Sequence, residues 1–224
     1  MTDIIRAKAA AGLEAANLVR TDNVVGLGTG STAFHATQCI GKRVSAGLRI
    51  RGVATSVVTA QMAADLGIII LDSFETIDIS IDGADEIDPE GNLIKGGGGA
   101  LAREKIVASA SRNKVYICDE SKLVKRLGKF PLPVEILPFG WEVTLARAKT
   151  LGCRASLRKD KDAFFKTDNG NYVLDCHFGT ISEPAKLSAE LNNIPGVLDN
   201  GLFCGLTDLV IVGKTDGSVE RIQF

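Results

Sequence analysis

Strand-length apolar runs alternate with stretches of helical spacing through the first half of this chain, and that rhythm restricts the fold more than any other feature. Asn23–Leu27 (NVVGL) reads as a short buried strand, Ser31–Ala46 as a helix, Leu48–Ala54 as a strand, Val57–Leu66 as a helix and Ile68–Leu71 as a strand. Ile77–Ile81 then alternates apolar residues with Asp78 and Ser80, Ala100–Ala110 is helical, and Lys114–Cys118 is a further strand. Ahead of them Thr2 can cap a helix over residues 3–19, where Ile4, Ile5, Ala9, Leu13 and Ala16 recur near helical spacing. Strands joined through helices pair in parallel and bury both faces. The expected core is therefore α/β, a Rossmann-like, mostly parallel sheet with helices on both faces.

Phe130-Pro131-Leu132-Pro133 interrupts the rhythm. Two prolines in four residues continue neither a helix nor a central strand, which predicts a boundary there. Beyond it Val134–Leu137, Trp141–Leu151, Arg154–Leu157, Tyr172–Cys176, Glu183–Asn192 and Val197–Cys204 read in the order β-α-β-β-α-β. That is the split, ferredoxin-like α+β arrangement, with Trp141 as its anchor. Asp208–Val212 and Ser218–Gln223 look like strands returning to the first sheet. The expected division is residues 1–129 with 206–224 as the Rossmann-like catalytic domain and 130–205 as a smaller α+β domain.

Composition excludes several classes of function. Lys and Arg number 26 against 27 Asp and Glu, a net charge of −1, which leaves no basic excess for nucleic acid or an anionic membrane. Nine Phe, two Tyr and one Trp are too few and scattered to form base-stacking platforms. No apolar run approaches the roughly 18 residues that span a bilayer, and Asp3 and Glu14 break the order of a signal peptide. Five cysteines, an odd count without a C-x-x-C pair, suit reduced thiols rather than a disulfide framework or a zinc site. A soluble cytoplasmic protein is expected.

Three segments carry chemistry. Gly26-Leu27-Gly28-Thr29-Gly30-Ser31-Thr32 lies between a strand and a helix. A dinucleotide fingerprint would place Gly where Ser31 stands and an acid near Ala54-Thr55-Ser56, and a P-loop would carry a Lys. What remains is a set of backbone amides with the Thr29, Ser31 and Thr32 hydroxyls, suited to one phosphate monoester at a helix N-terminus. A tight turn before a Ser/Thr-capped helix is the plainer alternative. Asp82-Gly83-Ala84-Asp85-Glu86-Ile87-Asp88 puts four carboxylates into seven residues after a strand, where they repel unless something offsets their charge. Its spacing misses the calcium-loop pattern and no His lies near it, so a metal is not expected. A solvated acidic loop is its plain alternative, with Glu86 and Asp88 as mere turn residues. Lys95-Gly96-Gly97-Gly98-Gly99, running into Ala100-Leu101-Ala102-Arg103-Glu104-Lys105, brings a cation, a nest of backbone donors and a carboxylate within ten residues. Four consecutive glycines cost conformational entropy and add nothing to a core, which argues against a mere connector. His35 and Cys39, four apart on one helix, are too few for a metal site, and neither His35 nor His177 has a Ser and an acid set out as a triad.

Taken together, G-L-G-T-G-S-T (26–32), D-G-A-D-E-I-D (82–88), K-G-G-G-G-A-L-A-R-E-K (95–105) and K-F-P-L-P-V-E (129–135) resemble the A-type ribose-5-phosphate isomerases. The resemblance extends to Thr-Asp-Asn-Gly-Asn (167–171) and Ile-Pro-Gly-Val (194–197). It implies a cofactor-free, metal-free aldose–ketose isomerisation between ribose 5-phosphate and ribulose 5-phosphate in the non-oxidative pentose phosphate pathway, carried out by a homodimer or homotetramer. It further implies Glu104 as the proton-transferring base, with Asp82, Asp85 and Lys95 in the active site and Gly83 and Ala84 lining it. Phosphate and substrate contacts would come from Thr29, Gly30, Ser31 and Thr32, from the Gly96, Gly97 and Gly98 amides, and from Lys122. Lys8 falls where the family often has a phosphate-side lysine. One carboxylate reaching both carbons suffices for this chemistry, and Lys95 with the glycine amides can meet the negative charge that develops on oxygen. Two rivals are a non-catalytic sugar-phosphate sensor, which would not need Glu104, Lys95 and both aspartates together, and a dinucleotide-dependent oxidoreductase, disfavoured by Ser31.

Overall fold

The computed structural model describes residues 3–224, so the expected cap Thr2 lies outside the described residues. In chain order α1 (Asp3–Ala16), β1 (Val24–Leu27), α2 (Ser31–Ser45), β2 (Arg51–Ala54), α3 (Val57–Asp65), β3 (Ile69–Ile70) and β4 (Ile77–Gly83) precede two short strands, β5 (Glu86–Ile87) and β6 (Leu93–Ile94). Next come α4 (Leu101–Ser109), β7 (Ser111–Asp119) and a 3₁₀ turn over Glu120–Lys122. The second half holds β8 (Leu132–Ile136), α5 (Trp141–Lys149), β9 (Arg154–Leu157), β10 (Lys159–Asp160), β11 (Ala163–Phe164) and β12 (Tyr172–His177). It ends with α6 (Pro184–Asn192), β13 (Val197–Asn200), β14 (Leu202–Phe203), β15 (Leu209–Gly213) and β16 (Val219–Gln223).

The chain forms two compact units, one of residues up to Ala84 with Arg103–Lys122 and Leu206–Phe224, the other of Asp85–Ala102 with Leu123–Gly205. This division and the one read from the sequence differ over residues 85–102 and 123–129.

The first unit is built on a seven-stranded sheet in the order β16-β15-β7-β4-β1-β2-β3, parallel except for β16. Its core is aliphatic, with Val25, Leu27, Ile79, Ile81, Val115, Ile117 and Ile211 from the sheet packed against Ala11, Ala15, Ala36 and Ile40 of α1 and α2. Strand order runs one way from β1 through β2 to β3 and the other way from β4 through β7 to β15. The reversal lies between β1 and β4, where an open parallel sheet leaves a crevice beyond the carboxyl ends of its strands. Gly12 lets α1 and α2 approach closely, since a Cβ there would lie 2.8 Å from the Ala36 nitrogen and 2.9 Å from the His35 Cβ.

The second unit carries a four-stranded antiparallel sheet in the order β13-β8-β12-β9, with α5 leading from β8 to β9 and α6 from β12 to β13. This is the expected ferredoxin-like pattern. Leu132, Val134, Ile136, Leu174, Cys176 and Leu191 form its core, and Trp141 packs on it with its ring 5.6 Å from that of Phe164. One expectation is corrected. Pro133 sits inside β8, which is a central strand of this sheet. The ladder tolerates it because the Pro133 carbonyl accepts from the Gly201 N–H at 2.7 Å, while the Gly201 carbonyl is taken by the Lys95 N–H at 2.9 Å. No acceptor is left waiting for the N–H that proline lacks. The expected strand 197–204 is also divided, because the chain turns at Gly201, where a Cβ would lie 2.2 Å from the Lys95 carbonyl oxygen. The Thr-Asp-Asn-Gly-Asn turn has its own reason. Thr167 Oγ1, Asn169 Nδ2 and Asn171 Nδ2 all donate to Oε1 of Glu135, at 2.9, 3.0 and 2.9 Å, which compensates a fully buried carboxylate.

Candidate active site

The first unit assembles one group of the expected residues at the reversal point of its sheet. β1 leaves the sheet at Leu27, opposite Ile81 of β4, and Gly28 continues the pairing by donating to the Ile81 carbonyl at 2.9 Å. Asp82, next along β4, is buried, and its Oδ1 accepts from the Thr29 N–H at 3.1 Å and the Gly83 N–H at 2.7 Å. The loop therefore folds onto the carboxylate, and Gly28 is what permits it, because a Cβ there would stand 2.2 Å from Asp82 Oδ1 and 2.6 Å from its Cα. Glu104, in the first turn of α4, is buried too and lines the same narrow cavity as Asp82, together with Gly26, Gly28, Thr55, Ser80 and Tyr116. Gly26 admits α4 against the sheet, since its Cβ would meet Val107 Cγ1 at 2.6 Å.

The Thr29 hydroxyl is bonded within the protein. It lies 2.7 Å from Thr55 Oγ1 and 2.8 Å from Ser56 Oγ, while Thr59 Oγ1 donates to the Gly28 carbonyl at 3.1 Å. These hydroxyls fasten the loop to the start of α3, where Ser56 caps the helix through the Thr59 N–H. Thr55 and Ser56, noticed in the sequence only for lacking an acid, are thus the loop's scaffold. Ser31 opens α2 with no side chain capping that helix, and its Oγ accepts from Lys8 Nζ at 2.9 Å. Thr32 behind it is buried. The close packing of α1 on α2 at Gly12 carries Lys8, one turn earlier on α1, to Ser31. An ammonium, a hydroxyl and helix N-terminal amides are groups whose chemistry suits an anion. Burial first, and the Lys8 charge second, lower the pKa of His35 from its ordinary 6.5 and so favour the neutral imidazole. Lys122 ends the 3₁₀ turn after β7 and is half-buried.

The second unit holds Asp85, Lys95 and the glycine run. Lys95 is 2% exposed, with Nζ 5.5 Å from the Phe203 ring centroid. Residues 96–99 form a turn closed by the Gly99 N–H to the Gly96 carbonyl at 2.9 Å, and φ is +98° at Gly96 and +80° at Gly99. Gly97 donates to Asp85 Oδ2 at 2.8 Å, and a Cβ on it would lie 2.7 Å from Asp85 Oδ1. Two left-handed positions and one close approach account for three of the four glycines.

The acidic run resolves in a way the sequence did not disclose. Asp82 and Asp85 accept backbone N–H groups as described, Glu86 accepts from Gly128 and Phe130 at 2.7 and 2.6 Å, and Asp88 accepts from Glu90 and Asn92, both at 2.9 Å. Backbone amides offset the repulsion. Glu86, expected in a solvated turn, is 3% exposed and anchors the 128–130 segment, whereas Asp88 is a turn residue, as expected. Among the described residues no three His, Cys, Asp or Glu side chains gather so as to hold a metal ion.

Comparison with known proteins shows the family. Residues 51–217 match the family model described as ribose 5-phosphate isomerase A (phosphoriboisomerase A). The chain is 48% identical to the ribose-5-phosphate isomerase A of Jannaschia sp. (strain CCS1), covering 98% of this chain and 88% of the relative. It is 50% identical to that of Parvibaculum lavamentivorans, covering 94% and 95%. Among solved structures, the ribose 5-phosphate isomerase from Plasmodium falciparum superposes with a TM-score of 0.94 at 36% identity over 100% of this chain and 99% of that one. A D-ribose-5-phosphate isomerase solved in complex with phospho-erythronic acid gives 0.93 at 39% identity over 97% of each chain.

Proposed function

The chain belongs to the ribose 5-phosphate isomerase A family, and on that premise we propose how its residues carry out the aldose–ketose interconversion of D-ribose 5-phosphate and D-ribulose 5-phosphate, a step of the pentose phosphate pathway. Glu104 takes the proton from C2 of the open-chain aldose and returns it to C1, so that the reaction passes through an enediolate. The observation that supports this most is the cavity shared by the buried Glu104 and Asp82 at the sheet's reversal point. A carboxylate held in one place can serve both carbons from one face, with no second base. Lys95 and the Gly96–Gly98 amides supply positive charge and N–H donors to the enediolate oxygen. Lys8, Ser31, Gly30, Thr32 and the first amides of α2 take the phosphate, with Lys122 and Thr29 completing the contacts. Asp82 or Asp85 moves hydroxyl protons as the furanose opens, with Gly83 and Ala84 among the substrate-binding residues. The cytoplasm and a homodimer or homotetramer complete the reading. The cytoplasmic part of that reading is supported by the cysteines, all five of which are free thiols.

The test is turnover of ribose 5-phosphate by the wild type and by Glu104→Gln, which keeps size and hydrogen bonding but accepts no proton. Loss of a general base costs about 10²–10⁴-fold in rate. The variant is expected to stay folded, to bind a hydroxamate mimic of the enediolate, and to lose at least about two orders of magnitude in kcat. In D₂O the wild type should place deuterium stereospecifically at the accepting carbon. A near-normal kcat for Glu104→Gln moves the base to Asp82 or Asp85.

A further inference from the structure

Arg158 has no part in the roles assigned so far, yet it donates to two carbonyls of the glycine run. It follows β9, and its guanidinium forks onto Asp175 of β12, with Nε 3.1 Å from Oδ2 and Nη2 2.5 Å from Oδ1. The two side chains are 14% and 24% exposed, so the pair is largely withdrawn from water. The remaining arm, Nη1, donates to two consecutive carbonyls, Gly96 at 3.0 Å and Gly97 at 2.9 Å. Phe165 backs the arrangement. Its ring centroid is 5.7 Å from Arg158 Cζ, its N–H returns to the Arg158 carbonyl at 3.0 Å, and its ring fills the space where a Gly99 Cβ would lie at 2.4 Å.

A peptide group is planar and trans, so a carbonyl fixed on one edge fixes the direction of the N–H on the other. The Gly96–Gly97 peptide is held on both edges, by Arg158 at the carbonyl and by Asp85 Oδ2 at the Gly97 N–H. The Gly97–Gly98 peptide is held on the carbonyl edge only. Its N–H, that of the exposed Gly98, points away from Arg158 and donates to no acceptor among the described residues. Four glycines in a row would otherwise wander over most of conformational space. We propose that Arg158, braced by Asp175, is the positioning residue that aims the Gly98 N–H at the oxygen on which charge develops during enolisation. The inference rests on the reading of residues 96–98 as substrate-facing. Lysine is no substitute, because a point charge on a flexible stem cannot hold a carboxylate and two carbonyls in one plane.

The experiment compares Arg158→Lys, Arg158→Ala and Asp175→Asn with the wild type in kcat and KM for ribose 5-phosphate, in affinity for the hydroxamate, in melting temperature and in the ¹⁵N–¹H NMR signals of Gly97 and Gly98. A misdirected oxyanion donor should lower kcat about ten- to a hundredfold, somewhat less than removal of such a donor. KM should change little, and hydroxamate affinity should weaken by the factor lost in kcat/KM. Arg158→Lys should melt near the wild type and still lose kcat, with the Gly98 amide shifted and broadened, an outcome a merely structural arginine would not produce. Wild-type kcat and hydroxamate affinity in Arg158→Lys overturn the proposal, as does a loss in Arg158→Ala that follows only its folded fraction. If Arg158→Ala fails to fold, the Lys and Asn variants decide. Should the wild type fail to isomerise ribose 5-phosphate, the assignment of function falls first, a result separate from any change among the variants.

Discussion

Gly28→Ala tests whether the loop must lie directly on Asp82. Gly28 is not among the glycines with a left-handed φ, so its backbone suits alanine and the new methyl is the whole perturbation. That methyl would stand 2.2 Å from Asp82 Oδ1, which can rotate away, and 2.6 Å from Asp82 Cα, which cannot. Restoring an ordinary carbon–carbon separation of about 3.5 Å requires the loop or β4 to move by roughly 1 Å. Overpacking of this kind costs about 1–3 kcal/mol. At roughly 2–4 °C per kcal/mol for a chain of this size, the melting temperature should fall by about 2–12 °C. Movement on that scale breaks the 3.1 Å bond from the Thr29 N–H to Asp82 and displaces a carboxylate in the Glu104 cavity. A misplacement of about 1 Å costs roughly 10²-fold in rate, so kcat/KM for ribose 5-phosphate should drop by about that factor in a coupled spectrophotometric assay. Gly47→Ala is the control, because Gly47 has φ +104° with nothing within 4 Å of a Cβ. It should lose about 1–2 kcal/mol through backbone strain and keep its turnover. Wild-type kcat/KM in Gly28→Ala would refute the reasoning, since the loop–carboxylate contact would then be dispensable.

Activity should survive exhaustive EDTA treatment, since backbone N–H groups already meet the 82–88 carboxylates; turnover lost and then restored by Mg²⁺ or Mn²⁺ would assign those groups to a metal. Lys122→Ala should raise KM by roughly ten- to 150-fold, the loss of a charge-assisted contact of about 1.5–3 kcal/mol, and ribose without its phosphate should be a poor substrate; equal efficiency with ribose would remove the phosphate assignment. His35, lowered by burial and then by Lys8, should titrate by imidazole NMR below 6.5, move upward in Lys8→Met and move upward again in the wild type when inorganic phosphate binds beside Lys8. Because the folded state disfavours the imidazolium, its contribution to stability is complete above pH 6.5 and fades as the pH falls toward the lowered folded value. A His35 titration indifferent to both Lys8→Met and phosphate would detach Lys8 from the anion site.

What could be read from the chain alone is whatever is written locally in it. Alternating strand and helix periods determine a parallel sheet, because a crossover helix leaves no other pairing. The βαββαβ order of the second half is legible for the same reason, and so are the three glycine-rich or acidic segments, whose cost in entropy or repulsion marks them as purposeful. Pro133 departs from expectation because a proline rule applied to one strand carries no information that Gly201 bends away and gives its carbonyl to Lys95. Glu86 departs from expectation because its partners, the Gly128 and Phe130 amides, lie more than forty residues along the chain.

Tertiary structure alone decided where each polar atom is satisfied. Thr29 contributes its N–H to Asp82 and its hydroxyl to the Thr55 and Ser56 cluster, a division that depends on the register of β1 against β2 and β4. Lys8 reaches Ser31 because Gly12 allows α1 and α2 to touch, and Arg158 reaches two glycine carbonyls 61 and 62 residues away. Residue type states what a side chain can donate or accept. The direction in which it does so follows from strand register and helix packing, and a hydrogen bond is only as strong as its direction allows.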